Sequence, residues 1–207
     1  MFTTVLIANR GEIAVRIART LRAMGLRSVA IHSEPDRNSP HVTMADVAEA
    51  LPGNTPVETY LRGDLIIAAA QAHGAGAIIP GYGFLAENAD FADSCEAAGI
   101  IFIGPTPEQI RSFGLKHTSR AIAETAGVPL VPGTGVLAGL NEAVAGAERI
   151  GYPVMLKSTA GGGGIGLTRC AAVSDLTATY ETVQRLAQNF FKDSGVFLER
   201  CIDDARH

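Results

Sequence analysis

The chain has 207 residues, enough for one large domain or two small ones with real cores. Hydrophobic residues make up 47 % and charged residues 18 %, with no low-complexity tract, which sets intrinsic disorder aside. Against 17 Lys and Arg stand 21 Asp and Glu, a net charge of -4 that recruits neither nucleic acid nor an anionic membrane.

The opening stretch "MFTTVLIANRGEIAVR" lacks the basic, apolar, small-residue order of a signal peptide, and no apolar run approaches the ~18 residues of a membrane span. The expectation is a soluble, cytoplasmic protein. Cys95, Cys170 and Cys201 are odd in number, widely spaced and without a CxxC pair, as three reduced thiols would be, and the residues give no metal site.

Residues 4–8, "TVLIA", form a short apolar run of the kind buried in a parallel sheet. Ala14, Ile17, Ala18 and Leu21 share one face of the helix that follows. The alternation continues with a strand at 28–33, a helix at 64–73, a strand at 77–80, a helix near 87–98 and a strand at 100–104. This pattern predicts an α/β fold: a doubly wound parallel sheet over residues 1–106, with right-handed crossovers. Ligands of such sheets sit beyond the carboxyl ends of the strands. Those ends read "ANRGE", "HSEPDRN", "PGYGFLAEN" and "GPTPE", all polar and rich in turn formers. Tyr82, Glu87 and Asn88 there either neighbour a substrate or start the next helix as polar caps. For Asn9, Arg10 and Glu12 the same two readings stand.

Residues 107–129 read as a helical connector, closed by Gly127 and Pro129. A small α+β unit is predicted over 130–203: a helix near 141–150 ended by Gly151, the strand "PVMLKS", a glycine run, the strand "GLTRCA", a helix over 175–192 and the strand "VFLERCI". Gly161, Gly163 and Gly166 satisfy G-x-G-x-x-G, yet no helix follows to receive a pyrophosphate, and a P-loop would carry its lysine after the glycines. The glycine run therefore reads as a hairpin flap. Its bare N–H groups can wrap an anion, and Lys157 adds a positive charge beside them. The bland alternative is a flexible surface loop.

The stretches "VLIANRGEIAVRIART", "IIPGYGFLAEN", "FIGPTPEQI", "AGVPLVPGT" and "RIGYPVMLKSTAGGGGIG", in this order, resemble the N-terminal portion of a biotin carboxylase, an ATP-grasp ligase. "LKHTSR" and "KSTAGGGGIG" further resemble the biotin carboxylase region of urea carboxylase, also called urea amidolyase. Most acyl-CoA-type relatives carry an arginine where this chain has Ile165. On this resemblance the fold is a pre-ATP-grasp sheet domain followed by an ATP-grasp lid, with residues 204–207 opening a further C-terminal lobe.

The resemblance implies a reaction in which MgATP phosphorylates bicarbonate and the resulting carboxyphosphate delivers its carbon to N1 of biotin on a carrier domain. Crowded phosphates and a short-lived intermediate call for lysines, a metal ion and a closing lid. By the same likeness Lys116 and Lys157 contact the nucleotide phosphates, and Gly161, Gly162, Gly163, Gly164 and Gly166 form the flap over them. Glu199 lies at the hinge beside the adenine, Arg200 and Cys201 offer main-chain contacts to the base edge, and His207 lies near the ribose. The cofactors implied are ATP, Mg or Mn, and biotin as carboxyl acceptor. The implied partners are bicarbonate, the biotin carboxyl carrier and carboxyltransferase regions, and a second copy in a homodimer; nucleic acid and membrane are not among them.

Catalytic and metal-binding residues are expected in the C-terminal lobe, so this stretch is expected to be inactive alone. Two other readings stay open: a biotin carboxylase subunit of an acyl-CoA or pyruvate carboxylase, and a non-catalytic nucleotide-binding or assembly module.

Overall fold

The computed structural model describes residues 2–159 and 166–206. The chain divides into two compact units, residues 1–111 and 112–207.

The first unit is built on a five-stranded parallel sheet. Its strands are β1 (Thr4–Ile7), β2 (Arg27–His32), β3 (Val47–Ala50), β4 (Ala77–Ile79) and β5 (Ile101–Phe102), in the order β3-β2-β1-β4-β5. The order reverses at β1, so the crevice where a doubly wound sheet takes its ligands opens between β1 and β4. All of β1 is buried because each of its faces has a cover. Val5 and Ile7 meet Ala14, Ile17, Ala18 and Leu21 of α1 (Gly11–Ala23), whereas Leu6 and Ala8 pack with Ile66 of α3 (Gly63–Ala72) and Phe91 of α4 (Ala89–Ala97). Period-two side-chain alternation delivers one apolar run to two cores.

Two pieces of this unit carry little sequence signal. Edge strand β3, "VAEA", is only half-buried and short of β-branched residues, and α2 (Pro40–Met44) is a single turn. The helical text after residue 106 is two helices. α5 (Pro107–Gly114) starts on a reciprocal cap, with the Thr106 N–H donating to Gln109 Oε1 at 2.9 Å and the Gln109 N–H to Thr106 Oγ1 at 3.2 Å. Its Ile110 joins the core of the first unit. At Leu115 the backbone turns extended, and α6 (Lys116–Thr125) begins. A periodicity reading runs the two together because the break is one residue long.

In the second unit β6 (Val154–Ser158) is flanked by β7 (Leu167–Cys170) and β8 (Val196–Arg200) in an antiparallel sheet of order β7-β6-β8. α7 (Leu140–Ile150) and α8 (Val173–Phe191) cover one face of it, burying Val154, Leu156, Val196 and Leu198 against Ala143, Ala147, Leu176, Tyr180 and Val183. Asp175 caps α8, its carboxylate accepting from the N–H groups of Ala171 at 2.8 Å and Ala172 at 3.3 Å. Among the described residues, no helix is long and apolar enough to cross a membrane.

Candidate functional site

At the strand ends of the first unit, Asn9 follows β1 and reaches across the switch point to the main chain after β4, donating to the carbonyls of Pro80 and Tyr82. Asn9 is 3 % exposed, so these bonds are made out of water. Arg10 pairs with Asp36, which also accepts from the hydroxyls of Tyr60 (2.7 Å) and Ser33 (3.0 Å). Burial pushes the Tyr60 hydroxyl up to about 12, with the Asp36 hydrogen bond acting the same way. The Tyr82 hydroxyl donates to Glu12. Asn88 caps α4, its Oδ1 accepting from the Phe91 N–H at 2.9 Å. The crevice is thus held by polar bonds within the fold.

The second unit carries a cluster of opposed charges. β6 exposes alternate residues: Val154, Leu156 and Ser158 are buried, whereas Met155 and Lys157 line the other face. On β8 that face holds Phe197 and Glu199, with Lys157 opposite Phe197 and Met155 opposite Glu199. Lys157 and Glu199 are therefore diagonal neighbours, within reach of long side chains, and the Lys157 ammonium donates to Glu199 Oε2. Arg120 on α6 donates to Glu199 Oε1 at 2.5 Å and, through its other nitrogen, to the Val131 carbonyl at 2.9 Å. A cleft of about 840 Å³ runs alongside, walled by His117, Arg120, Glu124, Gly133 and Arg149 among others.

The base of the glycine hairpin is fastened on both sides. The Ser158 N–H donates to the Gly166 carbonyl at 2.9 Å, and Gly166 sits at φ +75°. The Thr159 N–H donates to the Gly195 carbonyl at 2.9 Å, and its hydroxyl donates to Asp193 Oδ2 at 2.6 Å. Asp193 Oδ1 also accepts from the Gly195 N–H at 2.9 Å, and the Thr159 hydroxyl first, then this N–H, hold the Asp193 carboxyl below the ordinary value. The Lys116 N–H donates to the Thr159 carbonyl at 3.3 Å, so the first residue of α6 stands at the mouth of the hairpin. Burial first, and the positive charge of Lys157 second, hold the Lys116 ammonium below the ordinary lysine value.

Of the residues singled out in the sequence, Lys116, Lys157, Gly166 and Glu199 fall in this one region. Arg200 ends β8 and Cys201 follows it, but their N–H groups already donate to the carbonyls of Pro132 (2.8 Å) and Pro153 (2.9 Å). A base edge would have to use other main-chain groups. Gly161, Gly162, Gly163, Gly164 and His207 lie outside the described residues. Arg120, Thr159 and Asp193 were not singled out. For Arg120 a signal existed, since it follows Lys116 by four positions on one helix.

A doubly wound parallel sheet followed by a small antiparallel sheet, with a lysine on the strand that enters a glycine hairpin, is the fold class of the pre-ATP-grasp and lid domains of ATP-grasp ligases. Residues 1–110 match the family described as "Biotin carboxylase, N-terminal domain", and residues 116–207 match "Carbamoyl-phosphate synthase L chain, ATP binding domain". The chain belongs to the biotin carboxylase family.

It is 57 % identical over 206 residues to the urea amidolyase of Lachancea kluyveri, covering 100 % of this chain and 11 % of that protein. To the biotin carboxylase of Halalkalibacterium halodurans it is 50 % identical over 209 residues, covering 46 % of that protein. Among solved structures, the biotin carboxylase–β,γ-ATP complex from Campylobacter jejuni matches with a TM-score of 0.92 at 39 % identity, covering 99 % of this chain and 46 % of that one. The biotin carboxylase domain of Hydrogenobacter thermophilus 2-oxoglutarate carboxylase, in complex with MgADP, ADP and bicarbonate, matches with a TM-score of 0.88 at 45 % identity, covering 98 % and 45 %. The chain spans less than half the length of each of these relatives.

Proposed function

We propose that this chain is the N-terminal part of a biotin carboxylase that uses MgATP and bicarbonate to carboxylate biotin, within a urea or guanidine carboxylase. The observation that carries the reading is that Lys116 opens α6 with its N–H on the Thr159 carbonyl, two residues beyond Lys157 on the strand that enters the glycine hairpin. The urea branch is supported by the identity to a urea amidolyase over the full chain.

In this reading Lys116 and Lys157 neutralise nucleotide phosphates, and Gly161, Gly162, Gly163, Gly164 and Gly166 cover them with unobstructed N–H groups. Glu199, Arg200, Cys201 and His207 line the nucleoside side. Covering the phosphates keeps water from the intermediate, which is the lid's part in the chemistry. Among the described residues no group of three or more His, Cys, Asp or Glu is placed to hold a metal ion. The remaining length of such an enzyme would supply the metal ligands and the base, and the carrier and carboxyltransferase regions would receive and pass on the carboxyl group. A homodimer is the assembly we expect.

The test is ADP binding by calorimetry to this chain and to its Lys157→Ala variant. Binding that falls roughly tenfold or more in the variant supports the reading. A stable fold that binds no ADP would favour an assembly module. The acceptor is then read from ADP formation by the longer polypeptide with bicarbonate, comparing urea, guanidine and acyl-CoA.

A further inference from the structure

Lys157, Glu199 and Arg120 form a chain of alternating charge. Their side chains are 26 %, 16 % and 20 % exposed, so all three ions are largely withdrawn from water. A carboxylate so sheltered demands a cation, because its lost hydration is not otherwise replaced. Two cations serve it here, one on each oxygen.

Arg120 is held firmly in place. Its second nitrogen is fixed on the Val131 carbonyl, and the space it fills depends on Gly133. A Cβ at Gly133 would stand 2.7 Å from Arg120 Nη2 and 2.7 Å from the Leu198 carbonyl oxygen. Lys157, at the open end of the triad, is the member beside Lys116 and the hairpin.

We propose that Arg120 is a positioning residue that retains Glu199 and so lets Lys157 exchange that carboxylate for a nucleotide phosphate. The inference rests on the phosphate-binding reading of Lys157 given above. With Arg120 present, Glu199 keeps a counter-charge after Lys157 turns away. Without it, an arriving phosphate must compete with a sheltered carboxylate for the same ammonium.

The experiment is a double-mutant cycle read by ADP affinity in this chain, using Arg120→Met, Glu199→Gln and the pair, with melting curves confirming that each is folded. Arg120→Met is expected to weaken ADP about tenfold or more. In the Glu199→Gln background the same change should weaken it by less than about twofold, because a neutral amide needs no cation. Arg120→Lys, which keeps the charge, should restore most of the affinity. Equal losses in both backgrounds, or no loss in either, overturn the proposal. If Arg120→Met does not fold, Arg120→Gln carries the same cycle.

A second arm needs no nucleotide: acylation of Lys157 by an amine-directed reagent, followed by peptide mass spectrometry. Once Arg120 is gone, Glu199 is committed to Lys157, and labelling should slow; unchanged or faster labelling overturns the ion relay. A wild-type chain that fails to bind ADP removes the phosphate reading instead, and the labelling arm still decides whether Arg120 governs the Lys157–Glu199 pair.

Discussion

Asn9 and Tyr82 are joined across the topological switch point: Asn9 Nδ2 donates to the Tyr82 carbonyl at 2.7 Å and to the Pro80 carbonyl at the same distance. One amide thereby ties the end of β1 to the loop after β4. Asn9 Oδ1 completes the arrangement by accepting from the Arg10 N–H at 2.9 Å, at the start of α1.

Asn9→Asp keeps the acceptor and the shape but replaces the donor by an oxygen facing two carbonyls. We expect a loss of about 2–4 kcal/mol in urea unfolding at neutral pH, from two missing bonds and a charge placed without a partner. Asn9→Ala should cost less, about 1–3 kcal/mol. An aspartate variant as stable as the parent would show that the two bonds carry no weight.

Asp36 gathers Arg10, Tyr60 and Ser33. Burial alone would push its carboxyl up, but the hydrogen bonds from Tyr60, Arg10 and Ser33 outweigh it and hold the group below its ordinary 3.8. The folded state thus binds the proton less readily than the unfolded chain. Its stabilising contribution is present above the unfolded value and is lost as pH falls through the folded one. Asp36→Asn should cost about 2–3 kcal/mol near pH 7, and that difference should shrink in unfolding curves taken progressively below about pH 4. A penalty independent of pH down to acid unfolding would contradict the assignment.

Gly166 stands at φ +75°, and a Cβ there would lie 2.5 Å from Ser158 Oγ. Gly166→Ala should therefore cost about 2–3 kcal/mol, part from the left-handed backbone and part from the clash. Hydrogen exchange offers a local check: the Ser158 N–H, which donates to the Gly166 carbonyl, should lose protection more than amides of the first unit.

Lys116 provides a test by proton linkage, given the phosphate reading. Its ammonium is held below the ordinary 10.5 by burial and then by Lys157, and a bound phosphate would raise it again. ADP binding at alkaline pH should therefore take up protons, and affinity should fall as pH rises through the range where Lys116 titrates in the chain without nucleotide. Calorimetry in buffers of different ionisation enthalpy measures the uptake. It should be present in the parent and absent in Lys116→Met.

Much of the fold could be read along the chain because its signals are local. The run "TVLI" and the stripe Ala14, Ile17, Ala18 and Leu21 declare a two-sided strand and an amphipathic helix without reference to anything distant. β3 could not be read so: "VAEA" becomes a strand only because β2 offers it an edge, pairing Val29 with Val47 and His32 with Ala50. Nor could the break at Leu115, where the N–H of the next residue, Lys116, bonds to Thr159, far along the chain.

The site divides along the same line. Lys116, Lys157, Glu199 and the glycines were named from the order and wording of the motifs, which is information the sequence holds by itself. Arg120 was not: its spacing from Lys116 was legible, but its meaning lies in a carboxylate 79 positions later. What the tertiary structure alone decided was the pairing of charges: antiparallel registry of β6 with β8 sets Lys157 diagonal to Glu199, and α6 brings Arg120 to the other carboxylate oxygen. Coulomb energy and desolvation depend on separation in space and on the surrounding medium, and neither is written in the spacing of residues along a chain.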